Sequence, residues 1–259
     1  MNLISTDGVT LLKSSIFSQY EEIGHCFTTR LGGCSKRNFA ELNLSNNVGD
    51  SKEAVKNNRI VLCKAIAANY DKLITIKQVL GRDVIIYSGT NGETADGIIT
   101  DKADTPLLTQ SADCLLILIY DPVKRVVGNI HASWRGTLGE IAKNAVAKMQ
   151  EYYVSKIEDL RIAISPAIGT CCFEVGEDVA NMFHTKIPYS EKFIDNKNGQ
   201  IYINLWGINK YQFIQCGVLD NNIDTANLCT KCNSKLFYSY RRDGEKTGRF
   251  GAIIFIKSA

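Results

Sequence analysis

Two apolar runs, LLILIY at 115–120 and RVVGNI at 125–130, flank Asp121-Pro122-Val123-Lys124. Short apolar runs rich in Ile and Val, punctuated by a turn-forming tetrapeptide, read as two strands. So short a connection makes them antiparallel neighbours, because parallel strands need a crossover of a dozen residues or more. A four-residue loop pairs Tyr120 with Arg125, and a two-residue loop over Pro122-Val123 gives the same register. Counting outward from that pair brings Cys114 opposite His131, with Cβ atoms about 4.5–5.5 Å apart. A three-residue loop would slip the register by one and put the two on different faces.

A thiol facing an imidazole has three readings. It is a core pair, a nucleophile with its base, or two ligands of a zinc site. Two neighbours favour chemistry over packing. Asp113 places a carboxylate at the mouth of the first strand, and Trp134 and Arg135 follow His131 just before a helix. A guanidinium beside a helix N-terminus suits an anion.

The rest of the chain alternates helical and β-rich stretches. Residues 50–67 read as a helix capped by Asp50 or Ser51, and 137–153 as a helix with a Thr137/Glu140 capping box. Residues 72–88 hold two β-rich stretches around Gly81, and 174–183 and 204–218 read as helices. Near the C-terminus, KLFYSYRR and RFGAIIFI around DGEKTG read as a hairpin. With no repeat, no low-complexity tract and four prolines, the chain reads as one domain over 1–259. The expected class is α/β (α+β), with mixed sheets flanked by helices.

Net charge is +3 with no dense Lys/Arg block, which gives no case for nucleic acid or membrane binding. The N-terminal MNLISTDGVTLLKSS lacks the basic and apolar regions of a signal peptide. The nine cysteines therefore read as reduced thiols of a cytoplasmic protein. Among them, Cys229-Thr-Lys-Cys232 is a single CxxC with no second one, so it reads as two thiols near a strand start. Cys171-Cys172 read as buried, His25 as a structural histidine and His184 as a surface residue. In SYRRDGEKTGR, Arg241 and Arg242 either decorate a solvated turn or reach an anion.

Taken together, HCFTTRLGGCS, LNLSNNVGD, SADC, HASWRGT, SPAIGTCCFEVGEDV and CTKCNSKLFYSYRRDGEKTGR resemble, in the same order, the laccase-domain or YfiH-type family. That family is also called polyphenol oxidase-like and, more recently, purine nucleoside phosphorylase with adenosine deaminase activity. The resemblance spans nearly the whole chain. It implies a layered, YfiH-like fold similar to that of toxin-type cysteine hydrolases. It also implies phosphorolysis of adenosine, inosine or methylthioadenosine with phosphate as co-substrate, together with adenosine deamination.

The resemblance further implies a zinc site of one histidine and a Cys–His pair. The pair falls on Cys114 and His131; the third ligand position is Leu80, in Lys77-Gln78-Val79-Leu80-Gly81. Leucine offers no donor, so Cys34, Cys229 or His25 would have to supply one. Arg30, Asn43, Arg135, Arg241 and Arg242 match family motifs and are candidate substrate contacts. Ser133 stands where the family usually has glycine. The alternatives are a metal-independent cysteine hydrolase or amidase, and a nucleoside-binding homologue of impaired activity. Copper oxidation of phenols is the least supported, since a multicopper centre needs many histidines and this chain has three.

Overall fold

The structure, a computed structural model, describes residues 1–258. The strands in chain order are β1 (Asn2–Thr6), β2 (Val9–Lys13), β3 (Ile23–Thr28), β4 (Ile74–Thr75), β5 (Val84–Ile86), β6 (Gly97–Thr100), β7 (Leu107–Ser111) and β8 (Leu115–Asp121). They continue with β9 (Val126–Ala132), β10 (Arg161–Ile164), β11 (Glu174–Val175), β12 (Ile194–Lys197), β13 (Gln200–Ile203), β14 (Ile223–Thr225) and β15 (Phe250–Ile256). The helices are α1 (Lys52–Ala65), α2 (Trp134–Leu138), α3 (Ile141–Tyr153), α4 (Glu177–Lys186), α5 (Leu205–Cys216) and α6 (Tyr240–Asp243).

Two six-stranded mixed sheets result. One runs β1-β2-β3-β15-β7-β4, the other β14-β10-β8-β9-β6-β5; β11, β13 and β12 form a small third sheet. The runs 115–121 and 126–132 are buried at every position. Their alternation divides the core. Leu116, Leu118, Tyr120 and Val127 pack between the large sheets against Phe250, Ala252 and Ile254. Leu115, Ile117, Ile119, Val126 and Ile130 pack on the other side against α3 and α5, through Ala142, Val146, Met149, Ile208 and Phe213. On the outer face of the first sheet, Leu11, Cys26, Ile253 and Phe255 meet Leu62 and Cys63 of α1. The order of layers is helix, sheet, sheet, helices, the α/β class expected from the sequence.

Asn129 ties the two sheets together. Fully buried, it donates from Nδ2 to Leu107 O and Ala252 O, both at 2.8 Å, and its Oδ1 accepts from Thr109 Oγ1. Asn129→Ala would strip partners from two buried carbonyls and a hydroxyl. It is expected to cost roughly 2–4 kcal/mol, at about 1–3 kcal/mol per orphaned buried group with some relaxation. Chemical denaturation of variant and wild type measures this directly.

Four local expectations change. First, β8 and β9 pair as Leu116↔His131 and Asp121↔Val126, so Cys114 is not directly opposite His131. The Asp121 carboxylate explains the difference. Its Oδ1 accepts from the N–H groups of Val123 and Lys124, both at 2.9 Å, and Arg125 turns to φ 54. That fixed turn draws Asp121 and Val126 into the ladder. The slip is two residues, so the parity survives and Cys114 lies diagonal to His131 on the same side.

Second, there is no Thr137/Glu140 capping box. Ser133 caps one turn earlier, its hydroxyl accepting from Gly136 N at 3.0 Å, while Glu140 at φ 57 separates α2 from α3. The Thr137 hydroxyl accepts instead from Asn209 Nδ2 at 2.8 Å. Third, no C-terminal hairpin forms. Ser239 caps α6 by accepting from Arg242 N, and β15 inserts between β3 and β7. Fourth, 174–183 opens on β11 before α4 begins. The α1 reading holds, with Ser51 as cap.

Candidate active site

His131 sits at the end of β9 on the side facing the first sheet and is 4% exposed. Its Nδ1 donates to Asp96 Oδ1 at 2.8 Å. Asp96, fully buried, also accepts from the backbone N–H groups of Val79 (3.2 Å), Leu80 (3.1 Å) and Gly81 (2.7 Å). The Cys114 thiol lies on the same side of the hairpin, where its charge acts on the imidazole. Asp96, His131 and Cys114 thus follow one another as carboxylate, imidazole and thiol, with the carboxylate orienting the ring.

The electrostatics follow from that arrangement. Burial alone would lower the His131 pKa, but the hydrogen bonds and charges of Asp96 and Cys114 lift it to about 9. Burial would likewise raise Asp96, yet the imidazole and the loop N–H groups hold its carboxyl below the usual range. A raised histidine stabilises the fold in full below its ordinary 6.5, and that contribution is lost as pH rises through about 9. A depressed carboxylate stabilises above its ordinary 3.8 and loses its contribution as pH falls. Thermal melts should therefore show a loss on the order of 2–3 kcal/mol between about pH 7 and 10 that Asp96→Asn abolishes.

Cys114 is carried by a strained turn. Asp113 has φ 94, a rare conformation for any residue but glycine. The Asp113 carboxylate, just ahead of β8, is engaged by the neighbouring loops. Its Oδ1 accepts from Thr230 Oγ1 (2.5 Å) and its Oδ2 from Arg241 N (2.7 Å), so it turns inward and holds the turn. Cys114 itself is half-buried, and Ser111 Oγ donates to its carbonyl at 2.8 Å.

Arg249, just before β15, presents its charge to Cys114, Asp113 and Tyr240. Burial lowers its pKa, and Nη1 donates to Thr247 O and Gly248 O at 2.6 and 3.1 Å. Asp96 and Arg249 were not among the candidates. Arg249 was visible as the last arginine of SYRRDGEKTGR, whereas nothing local marks Asp96 in TADGII.

The other candidates are distributed as follows. Asn43 is fully buried, donating to Ser45 O and Asp50 Oδ2 and accepting from Arg249 N at 2.9 Å. Arg30 donates to Ala40 O and Ser234 O and stacks 4.8 Å over Tyr238. Arg242 forks into Thr230 O, Lys231 O and Phe237 O and pairs with Asp243. Arg241 is exposed, donating to Cys172 O and Glu174 O. Arg135 is exposed on α2, stacked 4.0 Å on Trp134, in a basin of about 480 Å³ that also gathers Arg82 and Lys186.

The donor set at Cys114–His131 does not fit the three-ligand zinc implied by the resemblance. Leu80 is 46% exposed and brings only its backbone N–H to Asp96. Of the substitutes, His25 is buried, accepting from Ser14 N at 3.0 Å and pushed down by burial to about 3, which makes it structural. Cys34 Sγ faces Ala54 O, beside α1. Cys229 belongs to a different group. It meets Cys171, Cys172 and Cys232 with all four sulfurs within 4.8 Å, a cluster that can hold a metal ion. The CxxC does have a partner pair, adjacent rather than spaced, which a search for a second CxxC passes over. Among the described residues this is the sole grouping of three or more such donors. Among the described residues no group of histidines gathers to hold a multicopper centre.

Comparison with known proteins gives a consistent family. A family model described as multi-copper polyphenol oxidoreductase laccase matches residues 24–257. A Geobacillus stearothermophilus protein named purine nucleoside phosphorylase YlmD is 35% identical over 240 residues, 88% of each chain. A Bacteroides thetaiotaomicron protein named purine nucleoside phosphorylase is 30% identical over 253 residues, 92% of this chain and 93% of its own. The crystal structure of the Bacillus licheniformis hypothetical protein YfiH superposes with a TM-score of 0.90 at 28% identity, covering 98% of this chain and 99% of that one. That of YlmD from Geobacillus stearothermophilus gives 0.90 at 32%, covering 97% of each.

Proposed function

The chain belongs to the multi-copper polyphenol oxidoreductase laccase family, and on that footing we propose that it is a purine nucleoside phosphorylase working at Cys114 and His131. In this reading residues 1–259 act as one domain that takes adenosine, inosine or methylthioadenosine together with phosphate. The observation that carries it is the buried Asp96–His131 pair on the side of the hairpin that bears Cys114, with the Arg249 charge acting on that thiol.

Phosphorolysis needs an anion held against C1′ of the ribose and a proton for the departing purine. A phosphate oxygen forms the bond to C1′, the glycosidic C–N bond breaks, and its electron pair leaves with the base. His131, protonated at neutral pH, is the proton store. The half-buried Cys114 thiol is the accessible end of the relay; it gives its proton to a purine nitrogen and regains one from His131. Arg249, with the exposed Arg135 and Arg241, supplies the anion contacts. Arg30, Asn43 and Arg242 hold the loops that carry them. No step is routed through a metal at this pair. Adenosine deamination calls for an activated water, which a two-donor pair supplies poorly, so adenine without inosine is the expected product pattern.

Incubating the protein with each nucleoside, with and without phosphate, tests this. Phosphate-dependent release of free base supports it, and no turnover of any purine nucleoside, even with added zinc, sinks it. Nucleoside binding without turnover would instead favour an impaired homologue. A second reading has an observation of its own, since thiol, imidazole and orienting carboxylate also make up a cysteine hydrolase. Rapid alkylation of Cys114 at neutral pH, with amide hydrolysis and no phosphorolysis, would favour it.

A further inference from the structure

The four-cysteine cluster lies outside the proposed reaction, and its construction is specific. β10 and β14 are parallel neighbours, so the loops after them leave the same end of the sheet. The first carries Cys171-Cys172, the second Cys229 and Cys232. Ala167 and Cys229 form an isolated bridge that locks the loops together, with Thr230 N donating to Ala167 O at 2.9 Å. Cys232 Sγ lies 3.5 Å from both Cys171 Sγ and Cys172 Sγ.

These spacings match a metal better than a bond or a chance contact. A disulfide needs sulfurs about 2.05 Å apart. A tetrahedral ion at about 2.3 Å from each sulfur sets them roughly 3.8 Å apart, within the observed range. The backbone adds the support such sites carry. Gly169 N donates to Cys229 Sγ at 3.4 Å. At Gly169 itself a Cβ would press to 3.3 Å from Cys229 Cβ and 3.4 Å from Cys171 Sγ, so a bare backbone lets the sulfurs close up. The surroundings suit a centre of negative charge. Arg241 donates to Cys172 O, Arg242 to Thr230 O and Lys231 O, and Lys231 lies inside the CxxC. Cys171 and Cys232 are exposed, giving an ion a way in.

We propose that Cys171, Cys172, Cys229 and Cys232 form a structural tetrathiolate site for zinc, which pins the turn that presents Cys114. The coupling is short. Thr230, between the CxxC cysteines, donates to the Asp113 carboxylate, and Ile168 N donates to Asp113 O at 2.9 Å. Loss of the metal frees both loops and with them the Asp113–Cys114 backbone.

Metal binding here is independent of the phosphorylase reading; only its effect on turnover rests on it. The test is elemental analysis of the chain purified under reducing conditions, with cobalt(II) exchange followed by absorption. About one equivalent of zinc is expected, kept in Cys114→Ala and lost in Cys171→Ser/Cys232→Ser. Cobalt should give the intense ligand-field and charge-transfer bands of a tetrahedral thiolate site. The cobalt titration uses the unaltered chain, so it stands even if the double variant fails to fold. Reduced protein that takes up neither ion at these thiols, or loses its metal in Cys114→Ala, overturns the proposal. A failed phosphorolysis assay with these metal results unchanged would count against the phosphorylase reading alone.

Discussion

His131→Ala is expected to lower kcat/KM for phosphorolysis by about 10²–10⁴-fold, the range for removing a positioned proton donor. The variant should also be less stable, because the buried Asp96 carboxylate loses its imidazole partner and keeps only the loop N–H groups of Val79, Leu80 and Gly81, so activity is read below its melting temperature. Asp96→Asn separates donor from orienter. The amide cannot hold the imidazole charge, so the His131 pKa must fall from about 9. In wild type, kcat/KM should decline as pH rises through about 9; in Asp96→Asn the decline should begin at clearly lower pH, with a smaller loss at pH 6. A steady-state pH profile for both proteins reads this. An alkaline limb that does not move would remove His131 from the proton relay.

Leu80→His is expected to create a metal site where the unaltered chain has two donors. Position 80 has φ 61 and an exposed side chain, and its N–H shares Asp96 Oδ1 with His131. Histidine is several-fold enriched at positive φ among non-glycine residues, so the backbone should accept the change. Three donors make a catalytic-type zinc set, where two do not. The gain in affinity should exceed the about 10–100-fold that even an outer-sphere partner contributes. With the cysteine cluster loaded, zinc content should rise from about one to about two equivalents, and Cys114→Ala in the same background should reverse it. Unchanged zinc content would mean that position 80 cannot reach the pair.

The sequence held the central hairpin and the side that Cys114 and His131 share, because strand parity is preserved through a two-residue slip. It did not hold the register itself. That depends on Asp121 folding its carboxylate onto the turn, a choice made among several loops of equal plausibility. Helix α1 was readable from its cap and period. The end of the chain was not, since Ser239 diverts Tyr240–Asp243 into a turn of helix and β15 finds partners far away in sequence. Asp96 and the cysteine cluster share the same obstacle. Each becomes visible only when strands distant in sequence pair, β6 with β9 in one case and β10 with β14 in the other.

The placement of β15 has a consequence for synthesis on the ribosome. Between β3 and β7 it contributes the ladder on both its edges, so that sheet stays in two unjoined pieces until Phe250–Ile256 have emerged. Arg249 emerges with it. A nascent or prematurely terminated chain thus exposes two unpaired strand edges and lacks Arg249. Completion of that sheet and the arrival of Arg249 therefore coincide, and a chain that stops short of Arg249 has neither.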